Sequence, residues 1–83
     1  MTKMIEYLAD QIKQDQAEVE ELSFYIKGLY SRINDSIAAN AGTIVKGTES
    51  MYKEIDSTFS KKTKLEQKIL SAKRQIMVEL GIN

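Results

Sequence analysis

Along the first half of the chain, apolar residues recur at alternating steps of three and four: Ile5, Leu8, Ile12, Val19, Leu22, Ile26, Leu29 and Ile33. Asp15 takes the one slot of that series that is not apolar. Such spacing lines up side chains on a single face of an α-helix. β-branched residues alternate here with leucines, the combination with which a helix packs side by side against another helix. The pattern predicts a helix over about residues 2–40, roughly 55 Å long at about 1.5 Å per residue. Thr2 is placed to cap its start, and Glu6 adds an acid near the positive end of the helix dipole. Within the helix the one weak former is Gly28, at about 1 kcal/mol relative to Ala. Asp15 stands where a leucine belongs and therefore requires a partner.

Residues 40–48, Asn-Ala-Gly-Thr-Ile-Val-Lys-Gly-Thr, change character. Gly42 can take the left-handed conformation that ends a helix, and Thr43 or Thr48 can start the next one. A second helix follows over about 48–80. Tyr52, Ile55 and Phe59 carry one apolar stripe, and Leu65, Ile69, Ala72, Ile76 and Leu80 carry another. Between them Lys61-Lys62-Thr63-Lys64 leaves the seam one residue short, a slip that would overwind a coiled coil locally. Gly81 is placed to close the helix. The expected object is an all-α, two-helix antiparallel hairpin, a single domain over 1–83. Its rival is one unbroken helix in a parallel dimer, since Ile37, Ala41, Ile44, Thr48 and Met51 can carry the stripe through. The two glycines and the Thr-rich stretch favour the hairpin.

Net charge is zero over 83 residues, but its distribution strengthens the hairpin reading. Residues 1–40 hold seven acids and four bases, and residues 41–83 hold five acids and eight bases. Folding about residues 44–45 sets Asp15 against Lys73 and Arg74, the predicted ion pair. Reversal nearer Gly42 sets the acids against Lys61 to Lys68 instead. Either register matches opposite charges, the complementarity that selects helix orientation.

Composition narrows the chemistry. With no Cys and no His, the chain has no disulfide framework, no thiolate or imidazole for a metal, and none of the commonest general base. No cofactor is expected. Gly42-Thr43-Ile44-Val45-Lys46-Gly47-Thr48 only approximates a phosphate loop, because Gly47 stands where the motif needs Lys before the Ser/Thr. No nucleophile–base pair or catalytic carboxylate pair is evident, so the chain is not expected to be an enzyme. Lys61, Lys62, Lys64, Lys68, Lys73 and Arg74 offer a basic face to nucleic acid, but intramolecular pairing with the acids of the first helix competes. No apolar run exceeds three residues, and charge follows Met1 too soon for a secretory signal. The expected location is cytoplasmic, or outside the cell by a route without a cleaved signal.

A hairpin alone buries one interface and is marginal at this size. The back of the first helix offers a second: Phe24 among Ala17, Gly28 and Ser31, with Tyr25 and Tyr30 on its flanks. These residues form the candidate partner surface, on which self-association or another protein would complete a helical bundle. Protein binding by an adaptor, an export partner or a small bacterial or phage regulator is the expected function. The alternatives are a nucleic-acid-binding hairpin and a structural coiled-coil spacer.

The small Cys-free helical plan with a glycine turn, followed by Tyr52-Lys53-Glu54-Ile55-Asp56, resembles the WXG-type proteins and the small helical partners of LXG toxins in bacterial type VII secretion. The resemblance implies a non-catalytic export partner that binds another helical hairpin. Tyr52 and Asp56 would then act as the Tyr-x-x-x-Asp targeting pair. The chain departs from that pattern in lacking a Trp-x-Gly turn and in placing the pair early in its second helix.

Overall fold

A computed structural model describes residues 2–39 and 47–82. Two helices make up nearly all of them, α1 (Thr2–Ala39) and α2 (Thr48–Glu79). The described residues contain no strand. The molecule measures 59 × 16 × 16 Å. One continuous helix of about 80 residues would run to about 120 Å, so the long-helix alternative falls away. Asp15 meets Lys68, Tyr25 meets Glu54, and Ile33 packs in a cluster with Ile55 and Met51. Partners on α2 come earlier as those on α1 come later, so the helices run antiparallel. The predicted turn falls mostly on residues 40–46, and with it the Gly42 and Thr43 signals and the phosphate-loop likeness; these lie outside the described residues.

Every predicted seam residue of α1 is buried or half-buried: Ile5, Leu8, Ile12, Asp15, Val19, Leu22, Ile26, Leu29 and Ile33. The same three-and-four series extends to Ser36, which is half-buried. Hydrophobic burial holds this face in place, at about 25 cal/mol for each Å² of apolar surface removed from water.

In α2 the seam differs from expectation. Its buried and half-buried positions are Thr48, Met51, Ile55, Thr58, Lys62, Leu65, Ile69, Ala72, Ile76 and Glu79, an unbroken alternation of three and four. Ile55, Leu65, Ile69 and Ile76 stand where they were expected. Phe59 does not: it is 52% exposed, and Thr58 fills the slot. Tyr52 and Leu80 are also outside the seam. The predicted one-residue slip is absent because two polar residues, Thr58 and Lys62, occupy seam positions. Thr58 stays in an apolar environment by donating its hydroxyl to the Glu54 carbonyl at 2.8 Å, one helical turn back. Lys62 lays its stem along the seam and holds its ammonium 5.4 Å from the Phe59 ring centroid.

Both described ends of α2 depend on left-handed glycines. Gly47 (φ 107°) is the N-cap, so Thr48 begins the helix as its first residue rather than as its cap. At the other end Gly81 (φ 76°) reverses the chain. Its N–H donates to the Val78 carbonyl and the Ile82 N–H to the Met77 carbonyl, at 3.0 and 2.8 Å. This pair of bonds satisfies carbonyls that the helix end would otherwise strand, as Gly81 in the sequence predicts.

The core is lopsided. Ile26, Leu29, Ile33 and Ile55 form its buried cluster, with Ile37 and Met51 packed against them. Towards the open end Ile69 alone is a buried apolar residue among those described, while Ile5, Leu8, Ile12, Ala72 and Ile76 are half-buried. Most of the packing energy therefore sits in the half nearer residues 39 and 48.

Candidate interaction surface

Asp15 is the most unusual residue in the seam. It is 5% exposed, in a position that otherwise takes leucine. One carboxylate oxygen lies 3.8 Å from Lys68 Nζ, and the other accepts from Gln11 Nε2 at 3.5 Å. The predicted partners were Lys73 and Arg74, and the structure corrects both. The register sets Asp15 against Lys68, about one helical turn from the pairing with Lys73 and Arg74. Lys68 keeps a side chain 58% exposed, so the pair is solvated at one end and contributes modestly. Taking a carboxylate out of water is costly, and a long, half-solvated ion pair returns little of that cost.

The seven basic residues of α2, Lys53 among them, do not converge. Lys61, Lys64 and Lys68 share one face at spacings of three and four. Lys73 lies on the opposite flank, where it lines a groove with Gln16, Val19, Glu66, Ile69 and Leu70. Lys62 is half-buried in the seam. A continuous basic stripe for a phosphate backbone is therefore not assembled.

The back of α1 carries the predicted partner surface. Phe24 is 80% exposed, the most exposed large apolar side chain among those described. Ala17, Gly28, Tyr30 and Ser31 are exposed with it. Beside Phe24 lies a groove of about 300 Å³ lined by Glu21, Phe24, Tyr25, Gly28, Leu29 and Arg32. Leu29, a core residue, forms its floor. Tyr25 is tied inward more than expected: its hydroxyl donates to the Glu54 carboxylate of α2. That bond, with burial and the Glu54 charge adding to it, raises the phenol above its ordinary value near 10. Tyr25 thus fixes one wall of the groove by a contact across the hairpin.

Gly28 is the second notable feature of this surface. A methyl group built at its Cα meets nothing within 4 Å. Neither packing nor backbone conformation within the hairpin requires glycine there. Tyr52 and Asp56, one turn apart on α2, are both exposed. Among the described residues no three acids gather as a metal-binding group, and no helix is long and apolar enough to cross a membrane.

No family model matches the chain, and neither do curated proteins nor solved structures. The functional reading therefore rests on the residues themselves.

Proposed function

We propose that the protein is a non-catalytic interaction module that docks the Phe24 face of α1 onto a helix of a partner protein. The observation that carries this reading is the pairing of Phe24, 80% exposed, with Gly28 beside the same groove. A single exposed aromatic residue is ordinary on a protein surface. A mid-helix glycine next to it is less so, because it costs about 0.5–1 kcal/mol relative to Ala with no return inside the hairpin. Close approach of another helix backbone supplies a reason for it. An adaptor, a small regulator and an export partner of the kind implied by the resemblance all fit this mode of action.

Two substitutions separate docking from folding. Phe24→Glu should leave helicity and melting temperature nearly unchanged while abolishing affinity capture of the partner from the native host. Gly28→Ala should raise stability by about 0.5–1 kcal/mol, a rise of several degrees in Tm, yet weaken the same capture. Circular dichroism and quantitative mass spectrometry read the two effects. If both variants retain the same proteins as the wild type, the Phe24 face is not the docking surface. The reading as a nucleic-acid-binding hairpin has less support, because the basic residues of α2 point to different flanks.

A further inference from the structure

A second apolar stripe runs along α2, away from the seam and from Phe24. Phe59, Leu70, Met77 and Leu80 are each about half exposed, between 45% and 57%. Steps of three, four and seven place them on one flank together with Glu66 and Lys73. Glu66 and Lys73 make no ion pair among the described residues. The groove between the helices opens beside the middle of this stripe, with Leu70 on its rim.

The order of these residues is distinctive. Phe59, Glu66, Leu70, Lys73 and Leu80 read apolar, acidic, apolar, basic, apolar. Met77 apart, the stripe is nearly symmetric in position about Leu70 and opposite in charge on its two sides. Such a pattern is self-complementary about a two-fold axis, which brings each residue against the position equally far beyond Leu70 in an identical copy. A helical partner of unrelated sequence has no reason to match it.

We propose that α2 pairs antiparallel with α2 of a second copy of this chain, about a two-fold axis beside Leu70. Glu66 of each copy then meets Lys73 of the other, Phe59 meets Leu80, and each Leu70 enters the groove bordered by its counterpart. The contact runs about 32 Å along the helix from Phe59 to Leu80. An interface of that length between two helices is small, so association is weak and depends on concentration. It leaves the Phe24 face free and does not rest on the function proposed for it.

Sedimentation equilibrium of the full chain, from micromolar to near-millimolar concentration, tests the pairing. The wild type should move from monomer to dimer and stop there. Glu66→Lys and Lys73→Glu should each weaken dimerisation on the order of tenfold or more, since symmetry counts every like-charge contact twice. The double variant Glu66→Lys/Lys73→Glu should recover the wild-type constant. Circular dichroism checks that each variant is folded, and both residues lie outside the seam. Phe24→Glu should leave the dimer unaffected. A wild type that stays monomeric at the highest concentration overturns the proposal and leaves the stripe to another protein. A double variant as weak as the single ones, or a dimer lost with Phe24→Glu, overturns it as well.

Discussion

Asp15→Lys should lower the melting temperature by about 15–30 °C, whereas Asp15→Leu should raise it. The carboxylate is 5% exposed in a leucine position, and the nearest charge is Lys68 at 3.8 Å. A lysine at position 15 puts two ammonium groups together at the seam with no acid to share. Leaving a charge buried and unpaired costs about 3–5 kcal/mol, and about 4–8 °C of Tm accompanies each kcal/mol in a domain of this size. Asp15→Leu instead removes a desolvated carboxylate and completes the apolar seam, a gain of about 1–3 kcal/mol. The ion pair that it sacrifices is worth about 1 kcal/mol or less. Adding Lys68→Glu to Asp15→Lys should return part of the loss, a coupling that thermal melts of the four members of a double-mutant cycle read directly. Coupling to Lys73 or Arg74 in place of Lys68 would mean that the helices pair one turn away from the register described above.

Ile33→Ala should be the most costly truncation in the seam, at about 2–5 kcal/mol. Ile33 is 1% exposed, in the cluster with Ile26, Leu29 and Ile55. A hairpin with one narrow core has few neighbouring side chains able to move into the cavity. Against a total stability of about 5–15 kcal/mol for a typical domain, and less for one this small, the variant should be largely unfolded at physiological temperature. Ile76→Ala removes the same atoms from a half-buried site near the open end and should cost less than half as much. Equal losses at the two sites, measured by urea denaturation, would contradict the uneven core.

The comparison of the two helices shows what made one of them readable. From Ile5 to Ile33 the seam of α1 is apolar at every position but one, so counting hydrophobic residues recovers the packed face and isolates Asp15. In α2, Thr58 and Lys62 occupy seam slots, while Tyr52, Phe59, Leu70, Met77 and Leu80 lie off it. Hydrophobicity therefore drew Phe59 inward and suggested a slip. Strict steps of three and four between Ile55 and Ile69 pass through Thr58, Lys62 and Leu65, and that count alone finds the true face. The choice of register was harder. The acidic and basic blocks each extend over more than a helical turn, so two alignments one turn apart both match charge. Side-chain reach and packing at Ile33, Met51 and Ile55 decide between them.

The surface residues follow the same division. Phe24 and Gly28 were legible because an aromatic residue beside a glycine stands out on a polar helix back. The link from Tyr25 to Glu54 depends on the register and had no signal in α2 alone. The α2 stripe left a trace in the seven-residue spacing of Phe59, Glu66, Lys73 and Leu80. That trace becomes informative once Phe59 is known to lie outside the seam.

The central functional claim is that Phe24 touches a partner, and a photoreactive benzoylphenylalanine at position 24, introduced in the native host, tests it most directly. Gln14, exposed on the same helix, is the control position. Irradiation should give an adduct of defined mass with one protein at position 24 and none at position 14. The same faint adducts at both positions, or none at either, would contradict docking through the Phe24 face.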